Sequence, residues 1–408
     1  MKAAAPKNIV VIGGGIQGTS VAYQLSKKID PSKTTIRILE AKAPASAASG
    51  KGGGFMAASW GDGGPTESLH RLSFDMFEDL AKELGCKSYR KLPVLSVSPG
   101  SNNKMVKVAR DQLGKTMPSW LDGNMGRISV MGEGDDTAQI TPKEFVDKMI
   151  EKADLEVVLG KCIGVETEDI DGEEKAITGV KYIDRETKKE CLLEADVCIV
   201  SAGPWTCQAE DWFDNVIELP MEGIKSTSIV WKQQDDDETD ATALFCGEDP
   251  RFNTHLEVYP RPDNTIYICG IGGSDYISKE ELKNGAFLEE CNAKETRVEA
   301  ASNAFKEMSS TYRENGQLDR VQACMRPCAV DALPYMGKVP GFRGAYINGA
   351  HNCWGICWSQ ATGLAISELV LEGESKSIDL TPFDPCRFTA TVKGRGRKKR
   401  GQNVGEQW

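Results

Sequence analysis

Three groups of residues in this 408-residue chain have the types and spacing to do chemistry. The first is Gly13-Gly14-Gly15-Ile16-Gln17-Gly18, which follows the apolar run Asn8 to Ile12 and matches GxGxxG. In such a run the first glycine makes a tight turn and the second lets a pyrophosphate approach the backbone. The third lets a helix pack on its strand, and the helix start supplies partial positive charge. Glu40 stands 22 residues after Gly18, at the end of a second apolar run, Thr35 to Glu40. A carboxylate there accepts both hydroxyls of a ribose and repels a 2′-phosphate. The ligand therefore contains ADP, with NAD and FAD both open.

The second group, "ASAASGKGGGF" from Ala45 to Phe55, weighs on that choice. Ser49, Gly50, Lys51, Gly52, Gly53 and Gly54 combine a small hydroxyl, unobstructed amides and a cation in one loop, which is the makeup of an anion nest. Placed just after the second strand, the loop can reach the far side of the pyrophosphate and the start of a ribityl chain. A nicotinamide enzyme has less need of it.

The third group comes late. Ala202-Gly203 ends the buried run "ADVCIVSAG", where small residues let the backbone approach an adenosine or diphosphate edge. Arg326-Pro327 puts a bidentate, permanently charged group on a stiff segment, suited to a substrate carboxylate. His351 reads equally as a loop hydrogen-bonding residue or a catalytic one. Gly355 opens a helical stretch whose free amides suit a flavin pyrimidine, where negative charge develops on reduction. Glu222, Tyr259 and Arg261 are further cleft candidates, each with a structural alternative.

These residues need elements to position them. Asn8–Ile12, a helix over "TSVAYQLSKK" and Thr35–Glu40 form a βαβ unit. "TESLHRLSFDMFEDLAKELG" has apolar residues at helical spacing and closes on Gly85. Thr141-Pro142-Lys143-Glu144 reads as a capping box opening a helix. Residues 155–203 read mainly as strand, "DNTIYICGIGG" as another, and 278–308 as two helices over a second sheet. "AYINGAHNCWGICWSQATGLAISELV" gives a strand and a long helix that return to the first sheet. The expected architecture is α/β: a discontinuous Rossmann-type dinucleotide domain (1–95, 140–215 and 320–385) and an α+β substrate domain on a mixed or antiparallel sheet (96–139 and 216–319). Residues 386–408 form a basic tail expected to be disordered.

Composition is that of an ordinary globular protein, 40% hydrophobic and 27% charged, and the length suggests two substructures. No apolar run approaches the roughly 20 residues that cross a bilayer, and nothing before Asn8 reads as a targeting peptide, so the cytosol is the expected compartment. Thirteen cysteines without CxxC pairs, with only His70, His255 and His351, argue against zinc and for a reduced environment. A net charge of −11 argues against a nucleic-acid-binding body. From Cys386 onward there are seven Lys/Arg and one Glu, so the remainder carries about −17. That basic end suits a nuclear-import or anionic-surface contact. Oligomeric state is not legible.

Together the motifs resemble the D-amino-acid-oxidase-like flavoproteins, which include glycine and sarcosine oxidases, and especially a little-characterised eukaryotic branch of oxidoreductases. The matching stretches are "VIGGGIQGTSVAYQL", "ASAASGKGGGF", "TAQITPKEF", "ADVCIVSAGPW", "CMRPCAVDALPYMGKVPG" and "GAHNCWGICWSQATG", in the family's order from about residue 8 to 372. The resemblance implies FAD, with Glu40 on the adenosine ribose, Ser49 to Gly54 near the phosphates and Gly355-Ile356 near the flavin ring. It places Arg326 at the carboxylate-binding position, and Cys324 at the cysteine that sarcosine oxidases link to flavin. Thr141, Ala350 and Val330 depart from the pattern, where His, Gly and Pro are usual. The implied reaction is oxidation of a C–N bond of an amino acid or N-methyl amine by hydride transfer to flavin N5. The alternative is a flavin-binding protein with a regulatory role, such as endosomal trafficking, and little turnover.

Overall fold

In the computed structural model, the residues described are 6–170, 172, 174–233 and 240–389. The apolar run Asn8–Ile12 is a strand buried on both sides. It pairs in parallel with Thr35–Glu40 on one flank and Val197–Val200 on the other. Glu156–Asp169 and Ala345–Gly349 extend this parallel sheet outward. One edge continues as the antiparallel strands Lys175–Asp184 and Glu190–Glu194, and the other ends on Tyr335–Lys338. Strands from the beginning, middle and end of the chain thus share one sheet.

One face of that sheet is covered by the helices Ile16–Ser26, Glu67–Leu84, Pro142–Lys152 and Gly355–Glu372, whose apolar sides form a single core with Ile9, Val11, Ile38 and Ile199. Glu67–Leu84 is amphipathic and stops at Gly85 with φ of 68°. Gly355–Glu372 is apolar nearly all round because it runs between other helices. It comes so close to Ile16–Ser26 that a Cβ on Gly363 would lie 2.8 Å from the Ser20 backbone carbonyl. Pro142–Lys152 starts where expected, but the capping box does not form. Glu144 turns away to accept from the Lys87 and Ser88 amides, at 2.8 and 3.1 Å, and so ties in a loop 56 residues upstream.

The second sheet is built on Met221–Gln233. Gly316–Ala329 pairs with it antiparallel along its whole length. On its other side lie Asp275–Ile277 and Thr265–Cys269, followed by Glu257–Pro260, Ala243–Cys246, Val94–Pro99 and Met125–Gly132. All these pairings are antiparallel except Ala243–Cys246 with Val94–Pro99. Lys104–Leu113, Glu295–Met308 and Ser310–Asn315 close its outer core around Trp120, Trp231 and Phe305. The architecture is α/β, with a Rossmann-type sheet and a second, mainly antiparallel one. Residues 320–329, expected with the dinucleotide-binding segments, belong instead to a strand of the second sheet, held by its long register with Met221–Gln233.

The expected tail is ordered at its start. Arg387 bonds both carboxylate oxygens of Asp331, at 2.8 and 3.0 Å, and its guanidinium lies 4.1 Å from the centre of the Tyr335 ring. Residues 390–408 lie outside those described. Among the described residues, no helix is long and apolar enough to cross a membrane.

Because Gly363 meets backbone rather than a movable side chain, Gly363→Ala should destabilise the protein by roughly 1–3 kcal/mol. The expected readout is a lower urea midpoint with an unchanged m-value; an unchanged midpoint would show that the two helices can separate without loss.

Candidate functional site

A cavity of about 330 Å³ lies between the two sheets. Its walls bring together the turn at Gly13, the loop Ala45–Phe55, the strand end Ser201–Gly203, the strand carrying Arg326 and the helix start at Gly355. These segments are up to about 340 residues apart in sequence, yet they meet at one place.

The first turn has the geometry the glycines require. Gly13 has φ of 111°, and a Cβ on it would sit 2.3 Å from the Ser201 carbonyl oxygen. A Cβ on Gly18 would sit 2.0 Å from the Gly13 oxygen, so Gly18 seals helix against strand and does not line the cavity. At Gly15 only the Ser49 side chain is near, so that stretch of backbone is open to the cavity. Ile16–Ser26 begins with no side-chain cap of its own and no acid in its first turn. Its Ile16 amide donates to Ser49 Oγ at 2.9 Å. The Ser49 hydroxyl therefore sits at the positive helix end with its proton free for an anionic oxygen.

Glu40 accepts from the Gly14 amide at 2.7 Å and the Lys42 amide at 2.9 Å. Burial pushes its carboxyl up from the ordinary range, against the pull of those amides. Further donors would favour the ionised form, and a pair of ribose hydroxyls is one chemistry that would supply them.

The second glycine cluster divides its work. Gly50 is inside the short helix Ala48–Lys51 with no room for a Cβ against the Ala45 carbonyl, and it supports the loop without lining the cavity. Gly52, Gly53 and Gly54 do line it. A Cβ on Gly53 would strike the rings of Tyr259 and Tyr267, which brings this loop directly onto the second sheet. Arg261 fixes it there by donating to the Gly52 carbonyl at 3.0 Å. Lys51 corrects an expectation. Its ammonium bonds the Ala323 carbonyl at 2.8 Å on the Arg326 strand and does not join an anion nest at the first turn. The loop is anchored across the cleft, and Gln322 returns a bond to the Lys51 carbonyl at 3.0 Å.

On the opposite wall, Ala202 and Gly203 line the cavity beside Ser201, whose hydroxyl accepts from Asn348 at 3.1 Å. Gln17 donates to the Gly355 carbonyl at 2.5 Å and so ties the first helix start to the last. Gln17 Oε1 and Asn348 Oδ1 are both buried without a protein partner, and both residues line the cavity. Gly355 and Ile356 line it at the start of their helix. His351 is 2% exposed, and burial drives its pKa down to about 3. It is thus a neutral wall group with Thr362 Oγ1 3.4 Å from Nε2, and it does not carry protons near neutral pH. Ala350 before it has φ of 60° with its side chain fully buried, which explains why glycine is usual there.

Arg326 reaches into the cavity from Gly316–Ala329. Among the described residues one hydrogen bond holds it, from Nη2 to Ser226 Oγ at 3.3 Å, and its Nε is buried with no acceptor. Among the described residues no carboxylate pairs with it. Cys324 also lines the cavity, but burial pushes its thiol up to about 11, against the pull of Arg326 and Lys51. Glu222 is exposed and outside the cavity, whereas Tyr259 lines it. Sequence reasoning missed Glu257, Tyr267, Ser226 and Asn348. The two-residue alternation of "EVYPR" puts Glu257 on the face of Tyr259 and Arg261 and is the signal that would have found it. Among the described residues no cluster of His, Cys, Asp and Glu is placed to hold a metal ion.

The site brings a buried carboxylate, Glu40, and two helix starts, at Ile16 and Gly355, onto one cavity. It fits a flavin dinucleotide. The chain matches the family model "DAO: FAD dependent oxidoreductase" over residues 8–369 and belongs to that family of FAD-dependent oxidoreductases. It is similar to the Schizosaccharomyces pombe protein named "Putative oxidoreductase C1F5.03c", with 27% identity over 93% of this chain and 98% of that one. Among solved structures it is similar to L-amino acid deaminase from Proteus vulgaris (TM-score 0.72, 16% identity, 95% of this chain and 98% of that one). Glycine oxidase from Geobacillus kaustophilus has a TM-score of 0.69 at 16% identity, over 94% of this chain and 99% of that one.

Two outcomes follow from this geometry. Glu40→Arg removes an acceptor already aligned by two amides, and should weaken FAD at least tenfold, the loss of one charge-assisted hydrogen bond of about 1.5–3 kcal/mol. Flavin absorbance per mole of purified variant measures it, and full occupancy would remove Glu40 from the ribose. With its thiol held protonated, Cys324 should form no flavin bond; acid precipitation should leave a colourless pellet and a yellow supernatant, and a yellow pellet would reverse that reading.

Proposed function

We propose that this flavoenzyme oxidises the C–N bond of an amino acid or N-methyl amine. The observation that carries the reading is Arg326: a guanidinium on the cavity wall, with a buried Nε–H lacking an acceptor and, among the described residues, no carboxylate bonded to it. A buried donor left unmade costs about 1–3 kcal/mol, so the arrangement suits a ligand that brings the acceptor. A carboxylate matches the planar fork of the guanidinium, and Ser226 holds that fork in place. The neighbours in fold, a glycine oxidase and an L-amino acid deaminase, support the same class of substrate.

When bound, FAD supplies a hydride acceptor at N5. The chain's own contribution is mainly positioning, which in well-oriented reactions is worth about 7–11 kcal/mol of barrier. Arg326 fixes the carboxylate, so the neighbouring carbon can take only a limited set of positions over the cavity. Gly53, Tyr259 and Tyr267 close the side wall and exclude water. The amides at the start of Gly355–Glu372 would offer positive charge to a flavin held beside them, whose reduction adds negative charge.

Anaerobic mixing of the holoprotein with glycine, sarcosine and D- and L-amino acids should bleach the flavin with at least one of them. Full flavin occupancy without bleaching by any amine would end this reading. Arg326→Ala should keep its flavin and lose about 1.5–3 kcal/mol of carboxylate binding, roughly 10- to 100-fold in Kd. Normal binding and turnover in that variant would make Arg326 structural.

A further inference from the structure

Among the described residues lining the cavity there are three carboxylates. Glu40 serves the first turn, and Glu289 stands beside Arg185 near the Lys42 side chain. The third, Glu257, is on the sheet wall. The registers place it opposite Cys269 and place Tyr259 opposite Tyr267, while Ser226 lies opposite Cys324. With the two-residue alternation of strands, Glu257, Cys269, Ser226, Cys324 and Arg326 all face the cavity from one side of the sheet.

Only one oxygen of Glu257 is engaged: Oε2 accepts from the Tyr259 hydroxyl at 2.6 Å and the Cys269 thiol at 3.4 Å. Oε1 has no protein donor among the described residues, and no Lys, Arg or His forms an ion pair with the carboxylate there. The charged and titratable groups around it are His255, Tyr259, Cys269, Cys246, Cys353 and Arg326, and Arg326, on the same sheet face, senses its charge. Aromatic rings complete the surroundings. Phe55 stacks on Tyr259 at 5.5 Å, and Phe245 meets Tyr259 edge-on at 6.0 Å. A carboxylate oxygen without a partner, beside ring faces, is a receptor for an ammonium group.

We propose that Glu257 receives the substrate's amino group and takes one of its protons, so that the cleft selects amino acids held by both charges, carboxylate on Arg326 and amine on Glu257. The proposal rests on the oxidative reading above and names the substrate class of that site. In the step, an N–H bond of the ammonium breaks and an O–H bond forms on Glu257. The nitrogen keeps the electron pair, giving the neutral amine whose adjacent C–H can release hydride. Tyr259 and Cys269 hold Oε2, which leaves Oε1 to face the ligand. His351 also lines the cavity, but it is buried against Trp358 and Thr362, and burial drives its pKa down to about 3, which makes it a poor acceptor for this proton.

The test uses the FAD-loaded full chain and the variants Glu257→Gln and Glu257→Asp. Glycine is compared with acetate, and alanine with propionate, by the shift each produces in the flavin absorbance under anaerobic conditions. The wild type and Glu257→Asp should prefer the amino acid, and Glu257→Gln should lose that preference while binding the plain carboxylates at least as tightly. For the amino acid that bleaches the wild type, Glu257→Gln should reduce its flavin about 100-fold more slowly at pH 7. The rate should recover as pH rises past the substrate amine's own pKa. Equal weakening of both members of each pair, an unaltered pH profile, or binding of none of the four compounds to the wild type would overturn the proposal. Absence of bleaching with every amine would instead remove the oxidative reading, while the paired binding would still decide the amine-receptor role of Glu257.

Discussion

Two helix starts that are far apart in sequence are held together at one place, and the rest of the site depends on that. The Gln17 side chain bonds the Gly355 carbonyl, and farther along the same pair of helices Gly363 lies against the Ser20 backbone. Each helix start carries roughly half a positive charge on free amides. Bringing two such ends onto one cavity is unfavourable unless negative charge is supplied between them. Ser49 relieves part of that at the first helix by accepting from Ile16. The remainder is a standing demand for an anionic ligand, and a dinucleotide with a diphosphate meets it. The small residues along the contact are therefore functional through geometry: they let the helices approach until their ends share a ligand.

The second sheet meets a different requirement. A dinucleotide site on the parallel sheet alone would be open to water on one side. Met221–Gln233 and its long partner Gly316–Ala329 supply the missing wall, and two cross-cleft ties fasten the glycine loop to it: Lys51 to Ala323 and Arg261 to Gly52. The loop thus fastens the two halves together. Its glycines serve clearance as much as anion binding, since Gly53 is pressed against two tyrosine rings and Gly50 against its own turn.

Much of this was legible because local physics dictates it. The turn at Gly13–Gly18, the strands around it and the amphipathic Glu67–Leu84 each follow from a short stretch of chain. What escaped is what depends on distant partners. Thr141-Pro142-Lys143-Glu144 has the composition of a capping box, but Glu144 finds better-placed donors at Lys87 and Ser88, and tertiary contact overrides the local pattern. Lys51 looks like a phosphate ligand until the Ala323 carbonyl appears across the cleft. His351 sits in a motif rich in catalytic-looking residues, and only burial, with its effect on the imidazole proton, shows that the ring is part of the wall. Residues 320–329 read as a return to the first sheet, whereas their register belongs to Met221–Gln233, a pairing across about a hundred residues that no local signal announces.

If the proposed pairing of Arg326 and Glu257 holds, charge bears on which ligands this cleft suits. The chain carries a net charge of −11, so at long range it repels anions and slows their approach, more so at low salt. A simple carboxylate must enter against that field to reach Arg326. An amino acid crosses it as a neutral zwitterion and feels no net force at distance. Once inside, within a few ångströms, its two charges are resolved separately by a guanidinium and a carboxylate on the same sheet face. A cleft with Arg326 alone would favour any organic acid that survived the approach. With Glu257 facing the same space, an acid without an amine brings its negative charge toward another, while an amino acid presents each group to its opposite. On that proposal, long-range field and short-range pair would discriminate in the same direction, and the chain's overall acidity would be part of its selectivity.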